Sequence, residues 1–203
     1  IKECIRPDTK AVVVVHVAGI VTPEIDQIKE FCKESNLYLI EDAACAHGAS
    51  VHMKNAGTFG DISVFSFHHS KVLTSGEGGM ICTDNSDWAL RLKRLRSFGI
   101  DRSISNWEVL EVGGSNYKMS EITAILGILH TRNADDLIND RRRIAKYYDD
   151  NITNNRVNKI NINGKSSYYK YVLYVDRKTM IRNDFLKGGV DLPPNVYDYL
   201  GSE

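Results

Sequence analysis

Short apolar runs separated by helical patterns fill the first half of this 203-residue chain. The first run, residues 11–17, consists almost entirely of β-branched side chains, which is typical of a strand buried on both faces of a parallel sheet. We therefore expect this strand to lie at the centre of the sheet. Three more strands are predicted from shorter apolar runs at residues 37–40, 62–67 and 80–83.

Helical patterns fall between and after these strands. Thr22 is the predicted N-cap of a helix that stops at Asn36, and a second helix is predicted over residues 87–98. Ser120 begins a longer helical tract that reaches about residue 148 with a bend. The apolar stripe of this tract consists of Ile122, Ile125, Leu126 and Leu129. The alternation of strands and helices predicts an α/β layered fold.

The composition changes abruptly after the long helical tract. Residues 151–164 are crowded with asparagine, which is typical of a loop and of a domain junction. We therefore divide the chain into residues 1–150 and residues 151–203. In the second part we expect an edge-type strand at 168–175 and a short helix at 180–186. Because the chain starts with Ile1 and its tail has turn chemistry without a closing element, we expect it to be incomplete at both ends.

The charge balance and the cysteine content argue against several classes of partner and site. Twenty-six basic residues balance twenty-six acidic ones, so no long-range field favours nucleic acid or an anionic membrane as a partner. The longest apolar run, residues 11–15, is too short to cross a bilayer. The four cysteines contain no CxxC pair, which argues against a zinc knuckle or a disulfide framework and favours the reducing cytoplasm.

Two of the predicted strands are followed by segments with side chains that can take part in chemistry. Glu41 and Asp42 end the second strand and lead into a turn of small residues. The third strand ends near Ser66 and leads to Lys71, which is followed by a glycine-rich turn at residues 76–79. Each feature is common by itself, but together they supply an amine, a carboxylate and a hydroxyl at one edge of a sheet. These are the groups that a pyridoxal-phosphate site needs.

Four longer strings connect these segments to a known family. They are LIEDAACAHGA at residues 39–49, GTFGDISVFSFHHSKVLTSGEGGMICTD at 57–84, LRSFGI at 95–100 and NYKMSEITAILG at 116–127. In these strings, and in the tail VDLPPNVYDYL at 190–200, the chain resembles the DegT/DnrJ/EryC1/StrS family of pyridoxal-phosphate-dependent sugar aminotransferases, within fold type I. The resemblance implies a three-layer αβα fold with a mostly parallel sheet and the start of a small C-terminal α+β domain.

The resemblance also implies roles for five residues. Lys71 would bind the cofactor covalently and carry a proton, and Asp42 would pair with the pyridine nitrogen. Ser66 would donate to the phosphate, whereas Asn116 would reach the phosphate bound by the other subunit of a homodimer. Cys45 stands near the phenolic side of the cofactor, where this family usually has Gln or His, and its thiol is a weaker hydrogen-bond donor.

The reaction implied by the resemblance is the transfer of an amino group from glutamate to a keto-sugar that is linked to a nucleotide. The active site would be shared between the two subunits of the homodimer. His16 and the region of Tyr197 are the candidates near the acceptor, although both are also compatible with a packing role.

Three other interpretations stay open at this point. His47, His52, His68 and His69 could form a metal site, but His68 and His69 would point to opposite faces of a strand. The family's sugar dehydratases have histidine in place of the lysine, and Lys71 argues against that activity. A folded but non-catalytic member of the family is the third interpretation.

Overall fold

The computed structural model describes residues 1–101, 103, 109–155, 157–175 and 187–188. The strands of this part of the chain are β1 (Ala11–Val15), β2 (Tyr38–Asp42), β3 (Ser50–Val51), β4 (Lys54–Asn55), β5 (Ile62–Ser66), β6 (Gly79–Cys82), β7 (Val157–Lys159) and β8 (Leu173–Val175). Its α-helices are α1 (Ile25–Glu34), α2 (Ser86–Leu95), α3 (Glu121–Arg132) and α4 (Ala134–Asn151). None of these helices combines the length and the apolar character needed to cross a bilayer.

A four-stranded sheet with the order β1-β2-β5-β6 forms the centre of the fold. The first three strands are parallel, and β6 runs antiparallel to β5. Parallel neighbours require crossover connections, and α1 is the crossover between β1 and β2. The predicted strands therefore form in the predicted segments, and the sheet is mostly parallel.

The two faces of the sheet are covered to different extents. On one face, Val12, Val14 and Leu39 pack with residues of α1 in the main hydrophobic core, where Ile25 is fully buried. The opposite face carries Tyr38, whose ring makes an edge contact with Trp88 of α2 at a centroid distance of 5.1 Å. Helices thus lie on both faces, as the layered fold predicts.

The prediction that the first strand is central was wrong for the described residues. There β1 lies at the edge of the sheet, and Val13 and Val15 are 59% and 53% exposed. These two valines are paired with Ile40 and Asp42, so they belong to the face that α2 covers only in part. A β-branched run is typical of a strand that is buried on both faces, but the burial depends on other elements that pack against it.

Two expectations about the helices also need correction. Glu24, not Thr22, is the N-cap of α1, and its side chain makes no capping hydrogen bond; the Thr22 hydroxyl donates to the Glu24 carboxylate instead. Ser120 does cap α3, because its hydroxyl accepts from the backbone N–H of Thr123. However, the predicted apolar stripe of α3 is largely exposed, and Gly127 is the buried residue of that helix.

The described residues after α4 contain a separate two-stranded sheet. Strands β7 and β8 pair antiparallel with each other and follow α4, whose last residue is Asn151. Within the segment predicted as an edge strand, only β8 is extended strand. The division at residue 150 stays a prediction, and the helix predicted at residues 180–186 lies outside the described residues.

Glu41 is fully buried in β2 and is surrounded by hydrogen-bond donors. Its carboxylate accepts from the backbone N–H groups of Gly57, Phe59 and Gly60 at 2.6–2.7 Å. Its fourth partner is Nε2 of His16, at 2.9 Å, and that ring is also fully buried. Burial by itself would raise the pKa of Glu41, but the hydrogen bonds from His16 and from the three amides lower it below the usual value.

Replacing Glu41 should therefore be costly. In Glu41→Ala three buried amides and His16 lose their partner, and we expect the free energy of unfolding to fall by about 3–5 kcal/mol. Urea unfolding followed by circular dichroism measures this change. Glu30→Ala, which removes a carboxylate from the exposed face of α1, is the matched control and should change stability by less than about 0.5 kcal/mol. Equal stability of the two variants would contradict this role of Glu41.

Candidate active site

Asp42 is the last residue of β2 and lies at the carboxyl edge of the sheet. One of its carboxylate oxygens accepts from the backbone N–H of Ala44 at 3.1 Å. This contact closes a local turn and fixes the orientation of the side chain. The backbone carbonyl of Asp42 accepts from the N–H of His16, which ties the end of β2 to the end of β1. Asp42 is partly exposed, so a ligand can reach its carboxylate.

Ser66 ends the neighbouring strand β5 and lies on the same face as Asp42. Asp42 is paired with Val64, and Ser66 follows two residues later, which returns its side chain to the same side of the sheet. Its hydroxyl oxygen accepts from the N–H of His68 at 3.3 Å. Opposite Ser66, β6 has Gly79, whose missing side chain leaves room beside the hydroxyl.

Lys71 lies in the turn that follows β5, and its ammonium group faces the turn that follows Asp42. The backbone N–H of Lys71 donates to the carbonyl of His68 at 2.9 Å. Its Nζ donates to Sγ of Cys45 at 3.2 Å. The same Nζ lies over the ring of Tyr169, 4.5 Å from the centroid, which is within the range of a cation–π contact. Lys71, from the turn after β5, and Cys45, from the turn after β2, are therefore in contact.

Tyr169 is a residue of this site that sequence reasoning missed. It lies in the segment before β8, nearly a hundred positions after Lys71. Its hydroxyl is 3.5 Å from the hydroxyl of Ser70, so it contacts the lysine turn at two points. Ser167, from the same segment, donates to the carbonyl of Cys45 at 3.0 Å. No local pattern marks such a contact, because it depends on how distant segments pack.

His47 lies behind this site and is buried between two aromatic rings. The ring centroids of Phe65 and Phe67 are 5.2 and 5.3 Å from its own. Burial, and secondarily the positive charge of Lys71, lower the pKa of His47 to about 4. His47 is therefore a neutral packing residue at physiological pH, and it carries no charge toward the lysine.

The structure separates the four histidines that were considered as one metal site. His47 is buried in the core, and His52 pairs with Asp26 at 2.8 Å on the surface. His68 and His69 lie side by side in the turn after β5, with their ring centroids 3.9 Å apart. The expectation that these two point to opposite faces was wrong, because β5 ends at Ser66 and both residues belong to the turn that follows.

Asn116, His16 and the region of Tyr197 are the other candidates from the sequence. Asn116 is exposed in the loop before α3 and forms an isolated antiparallel bridge with Ser97. His16 is fully buried against Glu41, so the packing interpretation holds for it and a sugar cannot reach it. The region of Tyr197 lies outside the described residues.

Two cavities of the described residues lie away from the lysine. One, of about 270 Å³, is lined by residues from the ends of α4 and the β7–β8 segment, including Asp149 and Tyr168. The other, of about 450 Å³, lies beside His47 and the first turn of α4. Neither is lined by Lys71 or Asp42. Asp42 itself is paired with the exposed Val15 of β1, and Lys71 lies in the turn that follows β5.

A family model matches residues 1–189, and its description is the DegT/DnrJ/EryC1/StrS aminotransferase family. The chain belongs to this family. The match covers all five residues that were singled out from the sequence, together with the helices and strands around them.

Similar proteins are known from several bacteria. GDP-perosamine synthase of Caulobacter vibrioides is 35% identical over 173 residues, which are 83% of this chain and 46% of that protein. The dTDP-4-dehydro-2,3,6-trideoxy-D-glucose 4-aminotransferase of Saccharopolyspora spinosa is 37% identical over 160 residues, or 73% of this chain and 41% of that protein.

A solved structure extends the similarity to the fold. Helicobacter pylori PseC, an aminotransferase involved in the biosynthesis of pseudoaminic acid, superposes with a TM-score of 0.87 at 28% identity. The superposition covers 98% of this chain and 56% of PseC. The predicted fold class, a mostly parallel sheet layered with helices as in this family, is thus confirmed. The chain spans about half the length of the curated relatives that it matches.

Proposed function

We propose that this protein is a pyridoxal-phosphate-dependent aminotransferase that transfers an amino group to a nucleotide-linked keto-sugar. One observation carries the proposal most strongly. The ammonium group of Lys71 faces the turn that follows Asp42, with Nζ 3.2 Å from Sγ of Cys45. The amine therefore lies beside the turn that follows the Asp42 carboxylate, at the carboxyl edge of a parallel sheet, where α/β folds bind their ligands.

The side chains at this edge fit the cofactor chemically. Lys71 supplies the amine for a covalent bond, and Asp42 supplies a carboxylate for the ring nitrogen. Ser66, on the same face as Asp42, supplies a hydroxyl for the phosphate. On this face Val15, the residue of β1 that is paired with Asp42, provides an apolar surface beside the carboxylate.

In the proposed mechanism each of these residues has a separate role. When it is bound, pyridoxal phosphate serves as an electron sink for a carbanion. The carboxylate of Asp42, which the N–H of Ala44 orients, would hold the pyridine nitrogen and favour its protonated form through its negative charge. Lys71 moves the proton at the substrate carbon, as a general base and then as a general acid. The ring of Tyr169, over Nζ, restricts the positions that the lysine can adopt.

Cys45 distinguishes this site from the pattern usual in the family. Its thiol contacts Lys71 and would lie on the phenolic side of the cofactor. A thiol is a weaker hydrogen-bond donor than the amide of Gln, so Cys45 would hold that side of the cofactor less firmly.

The cysteines also bear on the cellular compartment. All four, Cys45 among them, are free, and we infer that the protein belongs to the reducing cytoplasm.

The names of the relatives support the substrate class. The proteins from Caulobacter and Saccharopolyspora are named for a GDP-linked and a dTDP-linked sugar, and the second is named a 4-aminotransferase. We propose glutamate as the amino donor. The dehydratase alternative is disfavoured by Lys71, because the family's dehydratases have histidine at that position.

An assay with a panel of acceptors tests this function. We expect the purified protein, supplied with pyridoxal phosphate and glutamate, to release 2-oxoglutarate only with some of the dTDP-, UDP- or GDP-linked 3- and 4-keto-sugars. Lys71→Ala should abolish the release, because it removes the amine that the proposed reaction uses, whereas Lys54→Ala, at an exposed lysine of β4, should not. Reaction with a keto-inositol or a free keto acid, and with none of the nucleotide sugars, would contradict the assigned substrate.

We further propose that the protein is a homodimer with a shared active site. Asn116 is exposed, and the bridge described for it is to Ser97 and not to Lys71, which is consistent with a role toward the phosphate bound by the other subunit. The helix that follows Asn116 is apolar on several sides. Its exposed large apolar side chains are Ile122 (76%), Ile125 (58%), Leu126 (45%), Ile128 (51%) and Leu129 (48%). A surface of this kind on α3 requires a partner.

A charge on α3 should therefore prevent association. We expect Ile125→Asp to be monomeric by analytical ultracentrifugation at concentrations at which the unmodified protein is dimeric, because it would bury an unpaired carboxylate. Met53→Asp, at the fully exposed tip of the β3–β4 hairpin, is the control and should stay dimeric. Cofactor retention should fall with dissociation, as mass action requires. A monomeric unmodified protein that keeps its cofactor would contradict the shared site.

A further inference from the structure

Two histidines and a glutamate come together on the surface beside the lysine turn. His68 and His69 belong to the turn that follows β5, and Glu77 belongs to the glycine-rich turn before β6. One potential ligand atom from each residue lies within 4.8 Å of the other two. This cluster, which we call the His68–His69–Glu77 cluster, has no part in the proposed transamination.

The spacing of the cluster is close to that of a metal site. Nε2 of His68 is 3.7 Å from Oε1 of Glu77. Ligands bound at about 2.0–2.1 Å in a tetrahedral zinc site lie about 3.3 Å apart, so this pair needs to close by only a few tenths of an ångström. His69 and Glu77 are exposed, and their side chains can make this adjustment without disturbing the core.

The second nitrogen of His68 already has a suitable partner. Its Nδ1 lies 2.8 Å from the hydroxyl of Ser70. A histidine that binds a metal through Nε2 carries its proton on Nδ1 and donates it to a neighbouring oxygen, which orients the ring. Nδ1 also accepts from the backbone N–H of Ser70 at 3.2 Å, so metal binding through Nε2 requires a change of tautomer, after which Nδ1 donates to the Ser70 hydroxyl. Both contacts with Ser70 hold the ring with Nε2 toward Glu77.

We propose that the His68–His69–Glu77 cluster binds a divalent transition-metal ion, with Zn²⁺ as the best match. Two imidazoles and one carboxylate suit Zn²⁺, Co²⁺ or Ni²⁺, whereas Mg²⁺ and Ca²⁺ prefer a shell of oxygen ligands. The ammonium group of Lys71 faces Cys45, so it is directed to a different set of atoms.

Occupancy of the cluster would restrain the lysine turn. The carbonyl of His68 accepts from the N–H of Lys71, so these two residues share one hydrogen-bonded turn. A metal ion between His68 and Glu77 would connect this turn to the glycine-rich turn before β6. The cluster is thus placed to couple metal binding to the mobility of the residue that carries the proposed chemistry.

Calorimetric titration of the purified protein with ZnCl₂, without added cofactor, tests the site. We expect saturable binding of one ion per chain. His69→Ala and Glu77→Gln should each weaken it at least about tenfold, since even groups that only orient a ligand are worth about 10- to 100-fold in metal affinity. Both residues are exposed, so neither substitution should affect folding. Bound Co²⁺ should give the visible absorption of a low-coordinate ion, and this absorption should be lost in both variants.

The control is His52→Ala, which removes an exposed histidine that pairs with Asp26 on another part of the surface. It should bind Zn²⁺ as the unmodified protein does. Absence of saturable binding would overturn the proposal. So would unchanged affinity in His69→Ala and Glu77→Gln, or loss of binding in His52→Ala. None of these results bears on the proposed aminotransferase activity, because the titration requires neither cofactor nor substrate.

Discussion

The buried carboxylate of Glu41 is the constraint on which the arrangement of the main sheet, and with it the position of Asp42, depends. It joins β2 to the end of β1 through His16 and to the segment before β5 through three backbone amides. Leaving any of these groups unpaired in the core would cost more than an ordinary hydrogen bond contributes. The ends of three neighbouring strands are therefore held in one arrangement. Asp42, the next residue along β2, takes its position from this arrangement.

Lys71 is positioned in a different way, through contacts from distant parts of the chain. Its turn is fixed locally by the hydrogen bond to His68, but its ammonium group is held between Cys45 and the ring of Tyr169. The segment that carries Tyr169 is in turn connected to the turn after β2, because Ser167 donates to the carbonyl of Cys45. A small displacement of this segment would change both contacts of the lysine. The site thus depends on packing between the main sheet and the segment that leads to β8.

Residues with strong local signals could be predicted from the sequence. The four strands of the main sheet follow apolar runs and lie within two residues of their predicted positions, and Ser120 caps α3 as its type and place suggest. The β3–β4 hairpin was missed because strands of two residues show no periodicity. The edge position of β1 and the exposure of α3 could not be predicted. An apolar run indicates that a segment is suited to burial, but it does not say which other elements bury it.

Among the site residues, too, those in local motifs could be predicted, and those placed by packing of distant segments could not. The sequence motifs identified Lys71, Asp42, Ser66 and Cys45 as members of one edge, and Lys71 and Cys45 are in contact. Tyr169 could not be inferred because its contact with the lysine depends on tertiary packing. The proximity of His68 and His69 was misjudged because the strand was expected to continue past Ser66, and in a strand neighbouring side chains diverge.

The central claim is that Lys71 is the residue that carries pyridoxal phosphate. Treatment of the cofactor-loaded protein with sodium borohydride fixes the cofactor covalently to the lysine that holds it, and peptide mass spectrometry then identifies that lysine. We expect a single labelled peptide containing Lys71, with no label on the exposed lysines Lys54 and Lys165. A label on another lysine, or on none after cofactor binding has been demonstrated, would contradict the claim.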